Sequence, residues 1–136
     1  MTTRRIEELL ALRYASICDK RNFSDVKDIV TEDFKQTGPE WHCDGAAAFE
    51  AQLGYLKDNF SATMHMVGNQ LGEWQGEVYR GETYSIANHL YEKDGVARKL
   101  DMAIRYDEEI RQENGVCKYA RRDVHVIWAS DTALYS

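Results

Sequence analysis

Apolar residues recur at helical spacing up to Phe60 and at every second position after it, so the chain divides into a helical part and a strand part. In "TTRRIEELLALRYASICDK" the apolar set is Ile6, Leu9, Leu10, Tyr14 and Ile17, one face of a helix. Thr2 or Thr3 is placed to cap it, and Glu7 and Glu8 suit its first turn. "FSDVKDIVTEDF" predicts a short second helix, with Ser24 as N-cap and Val26, Ile29 and Val30 on its apolar side. "GAAAFEAQLGYLKDNF" predicts a third, striped by Phe49, Leu53, Leu56 and Phe60 and starting after the turn at Asp44-Gly45.

From Ser61 the period is two. "TMHMVGNQLGEW", "GEVYRGETYSIANHLYE", "RKLDMAIRYDEEI" and "CKYARRDVHVIW" predict long strands. They are joined by short turns at Gly76, at Glu92 to Gly95 and at Glu113 to Gly115, so the sheet is antiparallel and must twist. Pro39 sits in "TGPEWHCDG", a predicted loop over one end of the sheet. Helices first and strands later predict an α+β domain over residues 1–136. Three N-terminal helices pack on a strongly curved antiparallel sheet, and a cone-shaped apolar pocket lies between them.

Charge narrows the partners. The net charge is −6 over 136 residues and no basic stripe is present, which argues against nucleic acid. "ARR", Ala120 to Arg122, reads as a local pair of positive charges. No apolar run approaches the length of a membrane span, and the N-terminus lacks a secretory h-region, so the expected location is cytoplasmic. Cys18, Cys43 and Cys117 form no CxxC pair and read as plain thiols. In "WHCD", Trp41 to Asp44, adjacent loop residues diverge and no second ligand cluster accompanies them, so no metal is expected.

Two titratable residues stand in apolar surroundings. If Met64 and Met66 point one way from their strand, His65, Val67 and Asn69 point the other. Asp19 ends the apolar face of the first helix. A histidine facing a pocket needs a hydrogen-bond partner, and a carboxylate on one ring nitrogen sets the tautomer and raises its basicity. A helix end across the mouth of a curled sheet supplies one.

Three helices, a long curved sheet, "CD" closing the first helix and "TMHMVGN" opening the sheet together resemble the SnoaL-like branch of the nuclear-transport-factor-two-like superfamily. "GETYSIANHLY", "IRYDEEIRQENG" and "ARRDVHVIW" resemble its later strands. Scytalone dehydratase, bile-acid dehydratase and hexachlorocyclohexane dehydrochlorinase of that superfamily share an Asp–His dyad, and Asp19 and His65 fall on its positions. Tyr14 resembles a tyrosine that helps the leaving oxygen in bile-acid dehydratase, and His89 resembles the second histidine of scytalone dehydratase. Asn69 is a further polar contact in the pocket.

The resemblance implies a lyase or isomerase that works without a cofactor. Its dyad abstracts a proton from a small, mostly apolar, aromatic or polycyclic molecule. The alternative is a non-catalytic ligand-binding or assembly subunit, like a dioxygenase β subunit. Two arginines of the family have no counterpart in this reading. Arg111 is one residue out of step in its hairpin, and the last strand offers His125 or Val126. A homo-oligomer, dimer or trimer, is expected through the convex face of the sheet, with Met102, Ile104, Tyr106, Val124, Val126 and Trp128 on it.

Overall fold

The computed structural model describes residues 6–134. Helix α1 (Ile6–Lys20) leads through a 3-10 helix (Phe23–Asp28) into the hairpin of β1 (Val30–Thr37) and β2 (His42–Asp44). Helix α2 (Ala46–Asn59) follows, then four long strands: β3 (Ala62–Gln75), β4 (Val78–Lys93), β5 (Val96–Glu113) and β6 (Val116–Ala133). The predicted cap at Thr2 or Thr3, and the side chains of Ile6, Glu7 and Glu8, lie outside the described residues.

The expected second helix is a single 3-10 stretch, preceded by Asn22 rather than capped by Ser24. The rest of that segment is strand. Val30 and Thr31 are β-branched and stiff at χ1. Phe34 and Gln36 are buried at spacing two, which suits a pleated strand beside β6. The predicted loop around Pro39 is the turn of this hairpin, closed by a bond from the Gly38 N–H to the Trp41 carbonyl at 2.7 Å.

The six strands form one curved, unclosed sheet in the order β2-β1-β6-β5-β4-β3. All neighbours are antiparallel except β1 and β6, which run parallel. That departs from the wholly antiparallel sheet expected. The chain enters the sheet at β1, crosses its whole width through α2 to β3, and returns by three tight hairpins. The last strand then lies beside β1 with the same direction.

Both helices lie on the concave face. Leu10, Ile17 and Cys18 of α1 and Phe49 and Leu53 of α2 pack there with Phe34, Ile104, Ile110 and Tyr119 of the strands. All three cysteines are buried, filling space in or beside this core.

The two faces of the sheet are the reverse of the expected assignment. Ser85 and Thr83 of β4 pair with Ile104 and Tyr106 of β5, which pair with Val126 and Val124 of β6. This row is the core side: Ile104 and Tyr106 are buried, and Met102 and Val124 pack against them. Of the six residues expected on the convex face, Trp128 alone is there. An apolar row does cross that face, but it is Met66, Ile86, Ala103 and Trp128, directly paired in register across four strands. Met66, Ile86 and Trp128 are exposed.

Candidate active site

The end of α1 builds the site. Arg21 adopts the left-handed conformation (φ 62°). The Arg21 N–H then bonds the Cys18 carbonyl at 3.3 Å, and the Asn22 N–H bonds that of Ile17 at 3.0 Å. This is the Schellman closure, which usually takes glycine. A side chain there is unfavourable by about 1–2 kcal/mol. Here the guanidinium bridges two helix ends, donating to the carbonyls of Cys18 (3.0 Å), Leu56 (3.4 Å) and Phe60 (3.2 Å) and to Thr63 Oγ1 (2.9 Å).

Asp19 is thereby fixed against the start of β3. Its Oδ1 accepts from His65 Nδ1 at 2.7 Å and from the Thr63 hydroxyl at 3.0 Å, and its Oδ2 accepts from the His65 backbone N–H at 2.8 Å. Partial burial pushes the Asp19 pKa up, but the His65 ring and backbone and the Thr63 hydroxyl outweigh it and hold it below the usual carboxylate value. An ionised carboxylate only accepts, so the proton between the pair sits on Nδ1. Nε2 of His65 is left as the nitrogen with a free lone pair.

His89 lies one strand further in, 6.2 Å from His65 between ring centroids. Its Nδ1 donates to the Leu100 carbonyl at 3.1 Å and its ring packs on Phe60. Burial lowers its pKa, against the Leu100 bond, so it is neutral with Nε2 as acceptor. Asn69 does not join the set. A bulge between Val67 and Gln70 interrupts the alternation of β3 and leaves Asn69 exposed. Gln70 takes the inward place and donates to Thr83 Oγ1 at 3.1 Å.

Tyr14 is edge-on to His65, with ring centroids 5.9 Å apart. Burial raises its pKa far above the usual value, so its hydroxyl keeps its proton. Behind it stands a residue the sequence reading passed over. Arg122 is 1% exposed, and its guanidinium carbon lies 4.1 Å from the Tyr14 ring centroid and 3.8 Å from that of Tyr106. The last strand therefore does bring an arginine to the pocket, upstream of His125. Glu108, paired with Arg122 across β5 and β6, is buried beside it. His125 points to the other face and pairs with Asp107 at 2.8 Å.

Tyr14, His65, Tyr106, Glu108 and Arg122 line one narrow cavity, with Ala11, Ala15, Val67, Thr83 and Ser85 completing its walls. About 10 Å³ remains free inside, room for one water. A larger depression of about 570 Å³ opens among Leu71, Arg80, Glu82, Asp107, Arg121 and their neighbours. Charged groups dominate it and His65 does not reach it. Among the described residues, no group of three or more His, Cys, Asp or Glu side chains is placed to hold a metal ion. No helix among them is long and apolar enough to cross a membrane.

Residues 2–123 match the family model of the SnoaL-like domain. The chain belongs to the SnoaL-like family. Solved structures of the same fold include a candidate scytalone dehydratase from Novosphingobium aromaticivorans, 18% identical over 97% of this chain and 89% of that one, with a TM-score of 0.85. Another is hexachlorocyclohexane dehydrochlorinase LinA type 3 from Novosphingobium barchaimii, at 15% identity, 95% and 88% coverage and a TM-score of 0.81. A third is a candidate aromatic ring hydroxylase from Novosphingobium aromaticivorans, at 23% identity, 93% and 91% coverage and a TM-score of 0.79. At these identities the likeness is one of fold. No curated protein matches the chain.

Proposed function

We propose that this protein is a lyase or isomerase of the dehydratase type, in which the Asp19–His65 pair abstracts a proton next to a carbonyl. The observation that carries the reading is the hold of Asp19 on Nδ1, which fixes the tautomer with Nε2 as base. Asp19 orients the ring and stabilises the imidazolium that forms. Tyr14, held protonated, is a donor for the oxygen that gains charge. Arg122 supplies the positive charge on the same wall. His89, 6.2 Å from His65 between ring centroids, offers Nε2 as a further contact for substrate. The chemistry needs no cofactor. The substrate is small, with an apolar body against Ala11, Ala15 and Val67 and a polar end toward Arg122. The candidate scytalone dehydratase and the LinA dehydrochlorinase share the fold, and their names describe elimination substrates.

The narrowness of the cavity favours the second reading, a non-catalytic binding or assembly subunit. Tyr14, Tyr106 and Arg122 fill much of the space, so a substrate enters only if α1 moves off the sheet. One experiment separates the two. A panel of β-hydroxy ketones and conjugated ketones is offered to the wild type and to His65→Gln, which keeps the size of the ring but removes the base. Turnover that collapses in His65→Gln, in a protein whose circular dichroism is unchanged, supports the enzyme. Turnover that survives the substitution sinks the dyad mechanism.

A further inference from the structure

Four polar atoms around the dyad's cavity have no hydrogen-bond partner in the protein: Nε and Nη1 of Arg122, Oε1 of Glu108 and Oγ of Ser85. The three side chains are deeply buried, at 1%, 5% and 5% exposure. Glu108 and Arg122 are opposed directly across β5 and β6, yet these atoms do not satisfy one another. The guanidinium is turned instead against the rings of Tyr14 and Tyr106. Buried polar atoms without partners are unfavourable, and a fold rarely gathers several around one gap. The gap between them is the size of one water.

The donor and acceptor pattern identifies the guest. Arg122 can only donate, so the guest must accept. Glu108 must either give a proton to the guest or receive a hydrogen bond from it, and Ser85 can do both. A hydroxyl group or a water meets all three. A departing hydroxyl must gain a proton, which a protonated Glu108 supplies, whereas a departing halide needs none.

We propose that Arg122, Glu108 and Ser85 form a leaving-group hole that seats a departing hydroxyl, and that Glu108 is the catalytic acid that protonates it. The proposal rests on the lyase reading above and makes it a dehydration. His65 Nε2 takes the proton from the carbon beside the carbonyl. That electron pair becomes the new C=C bond, and the C–O bond breaks with its pair going to oxygen. The carboxyl proton of Glu108 bonds to that oxygen. The products are a conjugated carbonyl compound and one water, which fits the hole. Proton transfer from the imidazolium to the Glu108 carboxylate through solvent resets the protein. Burial raises the Glu108 pKa, against the charge of Arg122 and the hydrogen bond of Thr83, which favours the acid form the step needs.

Three readouts test this. A crystal structure of the unliganded protein is expected to show an ordered water within hydrogen-bonding distance of Arg122, Glu108 and Ser85. A floor closed by a direct Arg122–Glu108 ion pair overturns the hole. Infrared difference spectra at neutral pH are expected to show a protonated carboxyl band that is lost in Glu108→Gln, and its absence from the wild type overturns the acid. Both decide without a substrate, so they hold or fail independently of the lyase reading. With a matched pair of β-hydroxy and β-chloro ketones, Glu108→Gln should lower the ratio of hydroxyl to chloride elimination on the order of 100-fold. Ser85→Ala should lower it about tenfold. An equal loss on both substrates makes Glu108 structural. Loss of neither substrate's turnover in His65→Gln sinks the lyase reading instead.

Discussion

Asp19 holds His65 twice, through the ring at Nδ1 and through the backbone N–H, with a different carboxylate oxygen for each. An asparagine has one acceptor oxygen, so Asp19→Asn can keep only one of the two bonds. If that oxygen stays on the backbone N–H, the amide donates toward Nδ1, and the ring must protonate at Nε2 instead. The base is then lost while β3 stays anchored. Turnover is expected to fall on the order of 10³- to 10⁴-fold, the scale of a wrong-tautomer defect. The melting temperature should drop by only a few degrees. Nitrogen-15 spectra of the imidazole should show the proton move from Nδ1 to Nε2, and an unchanged tautomer counts against the argument.

Arg21 supports that geometry from one step away. Its four donor contacts tie the ends of α1 and α2 to Thr63, whose hydroxyl bonds Asp19. Arg21→Gly relieves the left-handed backbone but removes every one of these bonds. Hydrogen bonds from a charged donor contribute about 1.5–3 kcal/mol each when formed well. The loss should exceed the relief, so urea unfolding is expected to show a net destabilisation of about 1–3 kcal/mol. Thr63→Val should leave most stability intact yet raise the pH at which Asp19 titrates. A more stable Arg21→Gly protein would mean that the backbone strain dominates.

The helix–strand division, both long helices and all four long strands were legible, because their periods are unbroken over many residues. The contact between Asp19 and His65 was legible because a helix end and a strand start each carry one unusual residue. Two errors share one cause. Alternation defines two faces of a strand, but only packing says which is the core. Once Met102, Ile104 and Tyr106 are placed inward, Glu108 continues the same series. Arg122 likewise shares the face of Val124 and Val126. A charged residue extending an apolar alternation was the signal, and the reversed faces hid it. Asn69 was misplaced for a local reason: the bulge after Val67 shifts the register, and no residue pattern marks it unambiguously.

The row Met66, Ile86, Ala103 and Trp128 carries the expectation of a homo-oligomer. Tyr84 and Met64 extend it with further exposed apolar area. Light scattering at micromolar concentration is expected to give a multiple of the chain mass. Ile86→Asp places a charge in the middle of the row and should return the single-chain mass, with the dyad and the circular dichroism unaffected. A monomeric wild type removes the basis for this interface.

The pH dependence of stability separates three buried or half-buried groups by sign. His89 has its pKa lowered from the usual 6.5, by burial first and then by the nearby charges of His65 and Arg21, while the Leu100 carbonyl and Asp101 oppose. The unfolded chain therefore takes up this proton before the folded one, and stability falls as pH drops below about 6.5. Asp19 is lowered as well, so its contribution is complete above the unfolded value of 3.8 and disappears as pH falls through the folded one. Glu108 has the opposite sign. It faces Arg122, Tyr119 and Thr83, with Tyr14 and His65 across the cavity, and its net shift is upward from 4.5. The folded protein keeps that proton longer, so the contribution is complete below 4.5 and is lost as pH rises through the folded pKa. Scanning calorimetry from pH 4 to 9 should then show His89→Gln flattening the slope just below pH 6.5. Glu108→Gln should instead become more stable relative to the wild type as pH rises, because it removes a desolvated acid that is forced to ionise. A Glu108→Gln protein that loses stability steadily toward alkaline pH, relative to the wild type, would show that the ionised carboxylate is held by Arg122 as a structural partner rather than kept as an acid.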